Sequence, residues 1–399
     1  MQALAALLRA ERGPDAYLRL PLAVRAMPDQ DGVLNELAAY LTRFPVDELA
    51  RILYIQGLGR AGKTQHAEEQ VQKVLGRNDG NVLERLQQRL LDGQGLKGGR
   101  IRSEYACFPD SMIQNLGFWS HRITAPGGGV VEAITKIMHQ DHCGREVAFY
   151  SRIRRAFPKL ATISPDPLDL WQVTPNMVLL TMERVPGRSA DSGSMSTDEV
   201  SAFVRNYQAI AEIPFGAVAG EIGERNTENG LSHGYLASAL HMVHTPAGFT
   251  QTMEWTIRTV TERGYSQPVV DAVVQAMEHL MEHAFHTRVQ PERHYSLLHG
   301  DMHRHNVLMS EERTVLIDWA RCTTGPRGID LVVLFRRFGY QRVQNMVQPL
   351  LPRHEPVPNI LLAWAHILVS LELDLPGIKM EPEEHVFLPA SKTILSATW

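Results

Sequence analysis

Two short runs constrain this chain more than any other part of it. One is His299–Gly300–Asp301–Met302–His303–Arg304–His305–Asn306–Val307–Leu308–Met309, the other Val315–Leu316–Ile317–Asp318–Trp319. Apolar residues at Asn306–Met309 and Thr314–Ile317 flank a polar segment, Ser310–Glu311–Glu312–Arg313, which is the pattern of strand, turn and strand. Asp301 enters this hairpin, Asn306 opens its first strand and Asp318 follows its end. Three oxygen-bearing side chains then converge on one edge. That set suits one or two hard divalent cations and an incoming hydroxyl.

A chain of 399 residues has room for two or three domains. With 44% hydrophobic and 21% charged residues it reads as an ordinary soluble globular protein. A formal charge of -4 without a long basic run points away from nucleic acid and anionic membranes. Cys107, Cys143 and Cys322 follow no pattern and read as thiols of a reducing, cytoplasmic compartment. The apolar start at Met1–Leu8 is broken by Arg9, Glu11 and Arg12 too early for a signal peptide. Ile360–Val369 is too short to span a bilayer and reads as a buried helix.

Residues 1–97 read as a helical module. Apolar positions recur at helical spacing over 32–41, 46–54, 65–75 and 82–91, separated by glycines and by Asn78–Asp79–Gly80–Asn81. Gly57–Leu58–Gly59–Arg60–Ala61–Gly62–Lys63–Thr64 fits the eight-residue phosphate-loop pattern, and Ile52–Ile55 before it has the composition of a strand. A phosphate loop needs a parallel sheet around it, and no run of strands surrounds this one. The competing reading is a turn between two helices of a loosely tetratricopeptide-like pair, spaced by Leu53, Tyr54, Gly57, Leu58, Gly59, Arg60, Ala67 and Leu75. Such a module packs on the main body or offers a surface to a protein partner.

Gly93, Gly95, Gly98 and Gly99 mark a boundary, after which residues 98–185 carry strand patterns. Met112–Leu116 leads into Gly117–Thr124, and Pro126–Gly129 turns the chain into Val130–Ile137, an antiparallel start of three strands. The bend at Gly117 is a candidate cover for phosphates. Lys136 lies inside an apolar strand, where an ammonium needs a partner. Glu146, on the helix beginning near Asp141, would supply it and hold the lysine toward nucleotide phosphates. Lys159 competes but lies beyond the helix. Val173 and Met177–Met182 form a further strand pair. The linker after it, with Glu183 and Val185, can present backbone groups to an adenine edge. Residues 186–399 read as a mostly helical body into which the opening block is set.

The block's chemistry is that of phosphoryl transfer, which asks for an aligned acceptor, a bound cation and charge stabilisation rather than covalent work. Asp301 would take or orient the acceptor's proton, with His303 beside it in the catalytic set. Asn306 would bind a metal through its amide oxygen, and Asp318 would bridge metal and phosphates. His299, His303 and His305 alternate along an extended segment as a zinc set would, but no cysteine stands nearby. His299 and His303 read as braces of the loop. A glycosidase pair of Asp301 and Asp318 leaves Asn306 and Lys136 without a task.

At these residues the chain resembles the aminoglycoside phosphotransferase and choline kinase superfamily. The matching positions are His299–Gly300–Asp301, His303, Asn306 and Ile317–Asp318–Trp319, then Gly325–Pro326 and Asp330–Leu331. Lys136, Glu146 and the hinge at Met182–Glu183 and Pro186–Gly187 match as well. The resemblance spans about residues 105 to 340. It implies an α+β, bilobal protein-kinase-like fold with an antiparallel-sheet N-lobe and a helical C-lobe, here preceded by a small helical domain. It also implies ATP and Mg2+ as cofactors and a structural role for Asp330. The run His303–Arg304–His305–Asn306 departs from the family, which often has a proline there, and Phe118–Trp119 is bulky for a phosphate cover. The expected activity is transfer of the γ-phosphoryl group to a small-molecule hydroxyl: a sugar, an aminoglycoside-like molecule or an amino alcohol. A protein kinase and an inactive interaction module are the alternatives. Glu212, Glu221, Glu224 and Glu228 are candidate acids for a cationic acceptor, whereas Glu278 and Glu282 read as solvated helix faces.

Overall fold

The structure is a computed structural model that describes residues 24, 27, 29–76, 81–107, 115–190, 195–222, 240, 242–310, 313–352, 355–373 and 383–398. Met1–Leu8, Asn78–Gly80, Met112–Gln114, Glu224, Glu228 and Glu311–Glu312, all of which enter the sequence reading, lie outside these residues. The chain divides into two compact units. One comprises Met1–Val147 with Asp166–Arg184, the other Ala148–Pro165 with Val185–Trp399.

Among the described residues, four helices precede the sheet of the first unit: α1 (Gln30–Arg43), α2 (Glu48–Arg60), α3 (Thr64–Leu75) and α4 (Val82–Gly93). Asp29, Asp47 and Asn81 start α1, α2 and α4 by accepting bonds from first-turn amides, as short polar side chains do at helix N-termini. The Gly57–Thr64 pattern is therefore the end of one helix, a turn and the start of the next. A phosphate loop would follow a strand, and Ile52–Ile55 is helical. Gly57 and Gly59 permit close packing instead, since a Cβ there would press on Leu34 and on the Cys107 thiol.

A five-stranded antiparallel sheet follows, in the order β1 (Arg100–Ala106), β2 (Asn115–Thr124), β3 (Val130–His139), β5 (Met177–Glu183), β4 (Pro167–Thr174). β1 was not anticipated from the sequence; it is an edge strand whose charged residues alternate outward. Side chains on one face of the sheet, Trp119, Ile123, Ala133, Ile137 and Leu179, share a single core with Leu37, Ile52, Leu53, Ile55, Val71 and Leu86 of the four helices. Polar groups reinforce that contact. The Trp119 indole N–H donates to Glu68 at 2.9 Å. Arg89 makes two bonds to Asp169, at 2.8 and 2.7 Å, and lies over the Trp171 ring. Because side chains alternate along a strand, Lys136 points to the opposite face from Ala133 and Ile137.

The second unit is mostly helical: α6 (Thr197–Ala211), α7 (Phe215–Ile222), α8 (Pro246–Glu262), α9 (Gln267–Glu282), α10 (Ile329–Phe335), α11 (Tyr340–Val347), α12 (Pro356–Leu373) and α13 (Glu383–Leu395). Between β3 and β4, α5 (Gln140–Ala148) runs on through a π-turn at Phe149–Ile153. Two small ribbons lie among the helices in the described residues. β7 (Tyr295–Leu298) pairs with β10 (Thr323–Pro326), and β8 (Val307–Met309) lies between β6 (Arg188–Ser189) and β9 (Thr314–Leu316). Phe149 stacks on Trp319 with ring centroids 3.7 Å apart. The apolar run within α12 is buried, as a core helix requires. Among the described residues no helix is long and apolar enough to cross a membrane.

Candidate active site

In the second unit the opening block is a loop held from below. β7 is wholly buried and delivers His299 and Gly300 to the head of the loop. Gly300 has φ +77°, and a Cβ there would collide with the carbonyl oxygen of Arg321, so only glycine fits the bend. The Asp330 carboxylate, at the start of α10, accepts the His299 amide at 2.7 Å, the Gly300 amide at 3.1 Å and the Tyr207 hydroxyl at 3.1 Å. Burial pushes this carboxyl above its usual range, and His299 and the three donors oppose the push. Asp330 thus anchors the loop backbone.

His299 spans the loop. Its Nε2 lies 2.8 Å from the carbonyl oxygen of Ile317, which can only accept, so Nε2 carries the proton. Nδ1 accepts the Asp301 amide at 3.4 Å. His303 caps the turn Arg304–Asn306 by accepting the His305 amide through Nδ1. Burial pushes its imidazole down, with His305 and His299 adding to the effect and Asp301 and Asp318 opposing it. The Nε2 edge of the ring faces Asp301.

Asp301 is the exception in this bonded loop. Its Oδ1 is buried and has no hydrogen-bond partner, and the nearest imidazole and guanidinium nitrogens are too far for a bond. His303 Nε2 lies 3.8 Å from Oδ1, and Arg321 Nε lies 3.7 Å from Oδ2. Asn306 is buried, and its amide nitrogen donates to the Asp301 carbonyl at 2.9 Å, which leaves the amide oxygen for another task. The Ile317 amide donates to the Asn306 carbonyl at 2.9 Å and extends the β8–β9 ladder by one rung, so Asn306 and Asp318 stand at the same end of the ribbon. Asp318 has φ 62°, one of two described non-glycine residues with positive φ. Aspartate tolerates that conformation better than most residues, and such strain gathers at functional sites. Arg321, near Asp301, was not singled out by sequence reading. Its only signal was a cation three residues after Asp318.

In the first unit, Lys136 is 6% exposed and its Nζ lies 2.7 Å from Glu146 Oε2, with Glu146 fully buried. A pair this deep is costly to bury, so its geometry has to be good. Gly117, with φ +121°, lies in β2 where the register with β3 shifts, and the Tyr105 ring fills the space a side chain would need. Glu183 ends β5 and exchanges bonds with Asp166 through its amide and its carboxylate. Val185, half-buried, is the first residue of the second unit's long segment. Of the acids considered for an acceptor, Glu212 pairs with Lys159 at 2.6 Å and Glu221 with Arg152 at 2.8 Å.

A fold with this sheet and helical unit, carrying this Asp–Asn–Asp loop, is of the kinase-like α+β class. Residues 121–356 match the profile of the phosphotransferase enzyme family, and the chain belongs to that family. Solved structures similar to it include aminoglycoside phosphotransferase APH(4)-Ia (15% identity, 78% of this chain and 96% of that one, TM-score 0.39). Spectinomycin phosphotransferase APH(9)-Ia is similar at 13% identity over 77% of this chain and 97% of that one, with TM-score 0.42. A putative fructosamine-3-kinase from Haemophilus somnus 129PT is similar at 13% identity over 78% and 96%, with TM-score 0.37. Comparison with curated proteins finds no match.

Proposed function

We propose that this phosphotransferase moves the γ-phosphoryl group of ATP to a hydroxyl oxygen of a small molecule, a sugar, an aminoglycoside-like compound or an amino alcohol. The observation that carries the reading is Asp301 Oδ1, a buried carboxylate oxygen left without a partner in a loop where neighbouring groups are bonded. Burying an unsatisfied acceptor costs about 1–3 kcal/mol or more, a cost that suits an atom reserved for a substrate proton. Asp301 receives the acceptor's proton as the new O–P bond forms and the bond to ADP breaks. His303 orients that carboxylate from the side.

The oxygen donors of Asn306 and Asp318 fit a hard cation, and these two residues would hold Mg2+. When bound, Mg2+ supplies neutralisation of phosphate charge. Lys136, steadied by Glu146, binds nucleotide phosphates; Gly117 lies on the strand beside it, and Glu183 and Val185 meet the base. Residues 1–97 support this machinery as a helical module ahead of the kinase-like parts at 98–185 and 186–399. Cys107, Cys143 and Cys322 form no disulfide, which fits a cytoplasmic setting.

The test is Asp301→Asn. Acceptor-stimulated ADP release should fall by roughly 10²–10⁴-fold while nucleotide affinity changes little. Turnover equal to the parent's would remove Asp301 from the reaction.

A further inference from the structure

A second histidine group, away from the loop, has the geometry that the loop's histidines lack. In the loop, both His299 nitrogens are engaged, Nε2 with the Ile317 carbonyl and Nδ1 with the Asp301 amide. The His303 and His305 ring centroids stand 5.8 Å apart. In the last turn of α9, by contrast, His279, Glu282 and His283 each offer a ligand atom, and the three atoms lie within 4.8 Å of one another. Among the described residues this is the only such group of three.

The sequence spacing explains the cluster. Residues three and four apart share a helix face, so His279 stands beside both Glu282 and His283. The two imidazole centroids are 4.5 Å apart. The adjoining face of α9 is buried through Val269, Val273, Ala276, Met277 and Leu280, which holds the helix and the backbone under the three donors in place. A tetrahedral ion with bonds near 2.1 Å needs donors about 3.4 Å apart, within reach of side-chain rotation alone. The carbonyl end of a helix also carries partial negative charge, which favours a cation there.

We infer that His279, Glu282 and His283 form a binding site for a borderline divalent transition metal of the zinc class. Two imidazoles and a carboxylate suit Zn2+, and a fourth position stays open to water or another ligand. Mg2+ prefers an all-oxygen set and is poorly served by imidazole. The site is thus chemically distinct from the oxygen donors at Asn306 and Asp318, and it does not depend on the phosphotransfer reading. Its effect is to pin the last turn of α9 just before the left-handed turn at Ala284.

Calorimetric titration of the untagged full chain with zinc sulfate, and separately with magnesium chloride, tests this. One zinc per chain should bind at this site, and magnesium should not compete for it. The His279→Ala/His283→Ala double variant should weaken zinc binding by more than about tenfold, since losing a ligand exceeds the 10–100-fold effect of losing a mere outer partner. The His303→Ala/His305→Ala variant should bind zinc as the parent does. Co2+ substitution gives a second readout: the visible bands of the bound ion should weaken in Glu282→Gln, which keeps the helix intact. The inference is overturned if zinc does not saturate, if the His279/His283 variant keeps the parent's affinity, or if only the His303/His305 variant loses it.

Discussion

Lys136 and Asp301 illustrate two ways in which a single residue gives itself away. A lysine in the middle of an apolar strand has to find an anion, and its partner is Glu146, ten residues on across the turn into α5. Lys136→Ala should strip a fully buried carboxylate of its cation and cost about 3–5 kcal/mol, beyond any loss of nucleotide affinity. Thermal unfolding and nucleotide titration on the same variant measure both, and an unchanged Tm would show that the pair adds nothing to stability. Asp301 was legible from its place ahead of Asn306 and Asp318, but its lack of a partner was not. That depends on where the His303 and Arg321 side chains stop, at 3.8 and 3.7 Å. Gly117 was legible only as a bend. The Tyr105 ring that requires glycine there comes from β1, a strand the sequence reading passed over.

At the scale of elements, the four described N-terminal helices were readable from apolar spacing, whereas the caps at Asp29, Asp47 and Asn81 come from the structure. Where they pack was not readable. Their apolar faces lie against Trp119, Ile123, Ala133, Ile137 and Leu179 of the sheet, so that surface is already occupied within the chain. Removing residues 1–97 should therefore expose a core face rather than release a separate module. The truncated protein is expected to aggregate or to lose its near-ultraviolet circular dichroism. The milder variant Leu53→Ala, at a position 1% exposed, should cost about 2–5 kcal/mol. A truncated chain that melts cooperatively at the parent's temperature would show that the sheet does not need the helices.

Across the whole molecule, buried histidines tie stability to pH. Gln87 donates to Ser103 at 2.8 Å, so the Ser103 hydroxyl proton goes to His121 Nδ1 at 2.7 Å. His121 Nε2 then donates to Thr135 at 2.8 Å, and Thr135 lies 2.7 Å from Thr181. This chain of bonds suits a neutral imidazole, and burial pushes His121 down to about 4. In the second unit, burial likewise pushes His366 down to about 3. Both values lie below the ordinary one near 6.5, so the unfolded chain takes up protons that the folded chain refuses. Stability is expected to hold above about pH 6.5 and to fall as pH drops toward 4 and 3, by on the order of 3 kcal/mol per histidine at full extent. Melting curves from pH 7.5 to 4 measure the slope. His121→Gln, which keeps a donor and an acceptor, should flatten it, and an equal slope in that variant would assign the effect elsewhere.

What the sequence determined by itself is what short-range chemistry determines: helix periods, the Asp–Asn–Asp hairpin, the strand lysine that needs an acid, and hence the kinase-like class. What only the tertiary structure decided is everything that depends on a neighbour distant in the chain. It turned Gly57 and Gly59 from parts of a possible phosphate cradle into packing points beneath Leu34 and Cys107. It joined the helices to the sheet, and it left one oxygen of Asp301 bare. The physical reason is the same in each case. Periodicity is written into a few consecutive residues, whereas burial and an unmet hydrogen bond are properties of the partners that folding brings together or keeps apart.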